Sequence, residues 1–374
     1  MNSVAVVPLD IHKKFSQAMV MDDGGRVVRE ERIGHYGCEE MREFFRGFEQ
    51  GTDVVMEATF NWPWIADLAE EMGLAPHLAD PREARKRSRG LSKNDRKDAR
   101  SLGTLWLAGE RIFPEAYLAP RGVRRQRALF RTRMLLVVMR TRVKNNIHGQ
   151  LFRLGILLDE ETSDLFSAKG RKLLGGLKIE EHERWLLDEK LKVLDELERH
   201  IAGLEGKIKE ELEHDGRAVV LDSIPGIGKI LAHTMLAEMG EVERFPNRRA
   251  LEAYGGLLPL DNESAGKDFG RKTGKMCNKF LRWAALEAVQ GAVRSSRRMR
   301  SLHARVKAKN KRYPGKARVA VAREILGLVH LLLSRGEMYQ ETPPPRPGSD
   351  QGITRRRNPN RASQATVCAS PSRG

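Results

Sequence analysis

The chain has 374 residues, 40% of them hydrophobic, with a formal net charge of +17 and a pI near 10.0. That is enough apolar material for two or three cored domains, and the surplus of base points to a polyanionic partner, most commonly nucleic acid. No apolar run is long enough to span a membrane, the N-terminus lacks the charged-then-apolar order of a secretory signal, and three scattered cysteines (Cys38, Cys277, Cys368) form neither a disulfide framework nor a zinc motif; a cytoplasmic protein is expected.

In chain order, SVAVVPLDI is a short apolar run that ends in an acid, Asp10. FSQAMVMDDGGRVVREERI follows, two strand-like runs around Asp-Asp-Gly-Gly, which is a hairpin signal. CEEMREFFRGFEQ has helical spacing, and DVVMEAT is a second apolar strand closed by an acid, Glu57. NWPWIADLAEEMG reads as a helix stopped by Gly73, LAPHLAD as a third strand, and residues 81–109 as helical. Strand, hairpin, helix, strand, helix, strand, helix defines a mixed sheet with helices on its faces, the α/β class.

From about residue 118 the pattern turns helical. RRQRALFRTRMLLVVMRTRVKNNIHGQLFRLG predicts a long basic helix. Leu187, Leu191, Leu194, Leu197, Ile201, Leu204, Ile208 and Leu212 fall mostly three or four apart. That seam suits an antiparallel coiled coil with the basic helix, a dimer contact, or an ordinary buried helix. IPGIGKILA has the look of a helix-hairpin-helix turn whose Gly226 and Gly228 turn backbone N–H groups toward phosphate; a plain tight turn between packed helices is the other reading. The expected layout is an α/β domain over 1–110, a helical region over 111–216, a mainly helical domain over 217–340, and a disordered basic tail over 341–374, rich in Pro, Ser, Arg and Gly.

Charge follows this layout. Residues 1–80 carry 7 Lys and Arg against 15 Asp and Glu; residues 81–150 carry 19 against 5; residues 294–318 carry 11 basic residues and no acid. Two runs so unbalanced favour phosphate contact over a solvated face.

Asp10, Glu57, Asp95 and Asp98 are the candidate acids. Two end strands, and two sit three apart on one helical face. Each alone reads as a surface acid, but four converging carboxylates need a cation, and hard oxygens suit Mg²⁺ or Mn²⁺, which can hold both sides of a scissile phosphate. His12 and His77 suit such ions poorly and are expected to be structural. Lys93, Arg96, Lys97 and Arg100 flank the acids as candidate phosphate contacts. NESAGKDFGRKTGK is rich in Gly and Lys, so its backbone and its Lys267 and Lys275 can approach phosphate; a flexible loop is the alternative.

LDIHKK, MEATFNWPW and KNDRKDAR together resemble the blocks of a RuvC-like DEDD domain of ribonuclease-H-like fold, and specifically the insertion-sequence transposases of the IS-one-ten family. The segment from SIPGIGKILAHTMLAEMG through LRWAALEAV resembles that family's second domain, so the likeness covers roughly residues 4–110 and 219–335. The resemblance implies a DNA recombinase that binds Mg²⁺ through Asp10, Glu57, Asp95 and Asp98. It also implies a serine nucleophile, by position Ser264, although many relatives have Ser-Ser-Gly where this chain has Glu263-Ser264-Ala265. It further implies a structured noncoding guide RNA, donor and target DNA as partners, and a homodimer or homotetramer. Two other functions fit parts of the pattern: a metal-dependent nuclease of the Holliday-junction type using water, and a nucleic-acid-binding protein without catalysis.

Overall fold

The computed structural model describes residues 4–87, 95–109, 111–157, 164–212, 215–260, 263–264, 267–268, 272–273 and 277–341; at 95–97, 211–212, 259–260, 263–264, 267–268 and 272–273 it describes the backbone alone. The expected tail after Glu341, with Cys368, and the candidate residues Lys93 and Lys275 lie outside the described residues. The chain forms two compact units, Met1–Ile208 and Lys209–Gly374.

The first unit opens with β1 (Val4–Ile11), β2 (Phe15–Asp22) and β3 (Val27–Gly34), paired antiparallel in sequence. The Asp-Asp-Gly-Gly turn forms as expected, with Gly25 at φ 76° and the Asp22 amide donating to Arg26 O. Then come α1 (Glu39–Phe45), β4 (Asp53–Glu57), α2 (Trp62–Glu71), β5 (Ala75–Ala79), α3 (Pro81–Arg87), α4 (Asp95–Leu107) and β6 (Glu115–Ala116). The sheet order is β3-β2-β1-β4-β5-β6, with β1, β4 and β5 parallel. Among the described residues of this unit, β6 is the only strand the periodicity did not announce.

The central strands are buried on both faces, which is why they read as continuous apolar runs. Val7, Leu9, Val54 and Met56 pack with α1 and α2 through Phe44, Phe45, Ile65 and Ala69. Val6, Met21 and Val55 pack on the opposite face against Leu102 of α4. Gly103 makes this approach close: a Cβ there would lie 2.3 Å from Met21 Sδ and 2.9 Å from Pro8 Cγ.

Three helices complete the unit: α5 (Arg121–Arg153), α6 (Ala168–Gly176) and α7, which begins at Glu181 and runs to Leu212. The seam residues Leu187 and Leu194 pack with Ile147, Leu151 and Leu174. Arg133–Glu205, Lys144–Glu198 (3.3 Å) and Arg153–Glu183 (2.8 Å) pair basic α5 with acidic α7 in antiparallel order. Arg124 ties α5 to α2 by donating to Asp67 and Glu70.

The second unit is mainly helical: α8 (Gly216–Asp222), α9 (Lys229–Met239), a 3-10 turn at Val242–Arg244, α10 (Arg248–Tyr254), α11 (Lys279–Ser295), α12 (Arg297–Lys309) and α13 (Gly315–Arg335). Between α10 and α11 lie four two-residue strands, β7 (Pro259–Leu260), β8 (Glu263–Ser264), β9 (Lys267–Asp268) and β10 (Lys272–Thr273). Alanines 284, 285, 288 and 292 of α11 sit in the core with Ile224, Ile227, Met235, Leu251 and Ile325. Small side chains on α11 let its neighbours come close.

Candidate active site

Leu9 of β1 lies opposite Met56 of β4 in a parallel register. Both point into the α1–α2 core. Alternation then turns the next residues, Asp10 and Glu57, to the face that α4 covers. On α4, Ala99 and Leu102 are buried while Asp98 stays exposed, four residues before Leu102 and so on its side of the helix. The close approach at Gly103 brings that helix down onto β1 and β2.

The electrostatics agree with this placement. Glu57 is half-buried, and its carboxyl is pushed above the ordinary range. Burial is the largest cause and the Asp10 charge the next; Arg85 opposes them, while Asp98 and Asp80 add to the rise. Asp10 is 18% exposed and lies 3.1 Å from His12 Nε2. His77 is taken up elsewhere, 3.1 Å from Asp53 and against the Trp106 ring at 4.2 Å.

Asp10 and Asp98 therefore both act electrostatically on Glu57. Asp95 is the first residue of α4, but its side chain, like those of Arg96 and Lys97, lies outside the description; Arg100 is exposed on the same helix. The donor set fits a hard divalent cation in kind, since it is all carboxylate oxygen and its charges repel in the absence of one. Among the described residues, no three His, Cys, Asp or Glu form a group that could hold a metal ion.

Asp80 and Arg85 were missed as site residues. Asp80 also ends an apolar strand, the same signal that marked Glu57. Its Oδ1 accepts from the amides of Arg82 and Glu83, so it caps α3, and α3 carries Arg85 toward Glu57.

Ser264 lies in β8, paired with Lys267 of β9 across a two-residue connection. In a separate two-stranded ladder, Leu260 pairs with Lys272 and Pro259 with Thr273. Ser264 thus stands in an antiparallel ladder of two residue pairs, with Lys267 opposite it.

Gly226 and Gly228 part company. Gly226 has φ 89°, and a Cβ on it would lie 2.2 Å from Ala288 O and 2.4 Å from Ala292 N. It serves the contact between the α8–α9 turn and α11. Gly228 is the N-cap of α9, with open space where a Cβ would go.

A mixed sheet with helices on its faces, acids at the ends of its parallel strands and a further acid on α4 is compatible with the ribonuclease-H-like DEDD fold. Residues 7–155 match the DEDD transposase domain of IS110 elements, and residues 218–304 match the family described as "Transposase IS116/IS110/IS902 family". The two matches span more than half of the chain, which belongs to this family of insertion-sequence transposases. It is 24% identical over 361 residues to "Transposase for insertion sequence element IS1111A" of Coxiella burnetii, covering 91% of this chain and 92% of that protein. It is 26% identical over 297 residues to "Probable family 20 transposase" of Pseudomonas aeruginosa, covering 77% and 84%. Among the described residues no helix is long and apolar enough to cross a membrane.

Proposed function

We propose that this transposase cleaves and rejoins the DNA of its element with a divalent cation held by Asp10, Glu57, Asp95 and Asp98 and with Ser264 as nucleophile, its DNA partners chosen by a structured noncoding RNA. The observation that carries the metal half is Glu57. A carboxyl at a strand end, raised by burial and by Asp10 and Asp98, is a group waiting for positive charge. Mg²⁺, when bound, supplies charge stabilisation at the scissile phosphate. Asp10 and Glu57 hold its position from adjacent strands, and Asp98, with Asp95 three residues earlier, closes the set from α4.

In the serine half, Ser264 Oγ gives up its proton and bonds to phosphorus, while the bond from phosphorus to the 3′-oxygen breaks and that oxygen leaves as a hydroxyl. The 5′-phosphoserine link conserves the bond energy for rejoining. Lys267, paired with Ser264 in the ribbon, suits the phosphate electrostatically, as does Lys275 further along. The N-terminus of α9 at Gly228 is a second backbone contact for DNA phosphate, in the manner of a helix-hairpin-helix. Two catalytic sets, neither complete alone, favour a homodimer or homotetramer as the acting species.

The experiment is a suicide DNA substrate incubated with wild type, Ser264→Ala and Glu57→Gln in Mg²⁺, with and without the element's own noncoding RNA. Both variants are expected to lose the covalent protein–DNA adduct while still binding DNA. Adduct surviving in Ser264→Ala removes the serine. Cleavage to free ends without adduct supports a water nucleophile, and equal target choice without RNA removes the guide.

A further inference from the structure

β1 and β4 are parallel, so the chain leaves Asp10 and Glu57 at the same edge of the sheet. Three residues beyond them come Lys13 and Phe60, each within about 10 Å of chain from its acid. Between these segments and the end of β3 lies a cavity of about 350 Å³, lined by Lys13, His35, Gly37, Cys38, Asn61 and Trp64. That is the lower end of ligand cavities, about 300–1,000 Å³, with room for one nucleotide-sized group and not for a duplex. Its walls are tied together. Asn61 Nδ2 donates to His12 O at 3.0 Å and to Lys13 O at 3.2 Å. The His35 amide donates to Lys14 O at 2.9 Å, and the Trp64 ring stands edge-on to His35 at 5.1 Å.

Charge and exposure single out the same mouth. Residues 1–80 hold seven Lys and Arg. Arg26, Arg29, Arg42 and Arg46 pair with carboxylates, and Arg32 lies over the Phe15 ring at 3.7 Å. Lys13 and Lys14 are both exposed, and among the described residues neither has a carboxylate partner. Among the described Phe, Tyr and Trp residues of the sheet and its helices, Tyr36 and Phe60 are the exposed ones, at 81% and 70%. Tyr36 stands between the lining residues His35 and Gly37, and Phe60 immediately before Asn61. A single exposed ring is ordinary on a protein surface. Two rings and two unpaired lysines at one mouth are the parts of a single-strand platform, in which bases stack on free ring faces and cations track the backbone.

We propose that Lys13, Lys14, Tyr36 and Phe60 bind an unpaired stretch of the DNA strand being cut and stack a base that flanks the phosphate held by the acids. A ring takes the face of a base only after that base has left its neighbour, so the platform favours a melted strand over an intact duplex. Its place beside the scissile phosphate rests on the reading of Asp10 and Glu57 as the metal site; its binding of an unpaired strand does not.

The test uses the full chain in Mg²⁺-free buffer and the suicide substrate with 2-aminopurine at a nucleotide flanking the scissile phosphate, unpaired in one version and paired in the other. Stacking on a ring quenches this base. Wild type is expected to quench it in the unpaired version. Tyr36→Leu with Phe60→Leu should abolish the quenching and weaken binding of the unpaired version about fivefold or more for each ring removed, with the paired version held within about twofold. Tyr36→Phe keeps the ring face and should behave as wild type. Lys13→Gln and Lys14→Gln should each flatten the log–log salt dependence by about 0.7, the share of one single-strand phosphate. Both rings are largely exposed, so their replacement leaves the fold intact. Unchanged quenching in the double variant, or equal weakening on paired and unpaired DNA, overturns the platform. A larger ring effect on an RNA strand of the same sequence than on DNA overturns it as well and assigns the rings to RNA. Quenching that persists in Glu57→Gln while that variant still forms adduct keeps the platform and removes the acids from cleavage.

Discussion

Gly226→Ala separates a packing turn from a nucleic-acid contact. At φ 89° an L side chain is strained, by about 1–2 kcal/mol. The new methyl would also meet Ala288 O at 2.2 Å and Ala292 N at 2.4 Å, both backbone atoms of α11 that cannot rotate away. Gly291, opposite, already has Gly226 Cα within 2.8 Å of its own missing Cβ, so α11 offers no slack on that side. Overpacking of this kind adds about 1–3 kcal/mol. Together these place the loss at about 2–5 kcal/mol, or roughly 4–20 °C in the midpoint of a unit this size. Gly228→Ala, at φ −97° with nothing nearby, is the matched control and should cost about 0.5–1 kcal/mol, the difference between Gly and Ala as N-caps, with no steric clash added. Thermal unfolding and a DNA gel shift at several salt concentrations report both effects. If Gly226→Ala keeps its midpoint and loses DNA affinity instead, the packing argument is refuted and the glycine faces phosphate.

Three other outcomes follow from the same coordinates. Arg124→Met removes the 9%-exposed cation between Asp67 and Glu70; because those acids are a third exposed, the loss should be about 1–3 kcal/mol by urea unfolding, below the ~3–5 of a fully buried pair. His233 in α9 is held below its ordinary pKa of 6.5, first by burial and also by Lys229, against the pull of Asp215 and Asp222. The unfolded chain therefore takes up the proton first, stability falls as pH drops below 6.5, and His233→Asn should flatten that slope in unfolding midpoints read between pH 7.5 and 5.5. Glu57→Gln removes a charge that burial and Asp10 disfavour, so its midpoint in metal-free buffer should rise; Mg²⁺ at about 100 times its Kd should stabilise wild type by about 2.7 kcal/mol and the variant far less.

The acids on the strands were legible because an apolar run that stops at a carboxylate is a local signal, and the burial of β1 and β4 on both faces keeps that run unbroken up to Asp10 and Glu57. The Asp-Asp-Gly-Gly hairpin was legible for the same reason: its turn chemistry is complete within a few residues. What escaped was set by contacts far along the chain. Glu115–Ala116 is a strand only because β5 leaves an edge for it. Gly103 sits inside a helix, where glycine is unfavourable, and only Met21 and Pro8 explain it. Asp80 carried the same strand-end signal as Glu57, yet its link to the site runs through capping α3 and bringing up Arg85. At Gly226 two readings stayed open, a phosphate-facing turn and a tight turn between packed helices, because the nearness of Ala288 and Ala292 depends on how α11 packs.

On the proposed reading, the acids and Ser264 differ in how they are held, and that difference bears on which step each would govern. Asp10 and Glu57 project from neighbouring strands just after the fully buried, mutually paired Leu9 and Met56, so their separation is fixed by the sheet itself. Rigidity there has an electrostatic cost, visible in the raised proton affinity of Glu57, and such cost is repaid only when positive charge arrives. Ser264 instead lies in a ladder of two residue pairs, Glu263 with Asp268 and Ser264 with Lys267. A preformed acid cluster suits charge stabilisation, which gains most from groups that need not reorganise. If Ser264 is the proposed nucleophile, a short ladder suits a step that must engage one strand, hold it covalently and then release it to another. On this reasoning, variants at the acids should lower the rate whatever the DNA substrate, while Ser264→Ala should remove the covalent adduct and leave DNA binding in place.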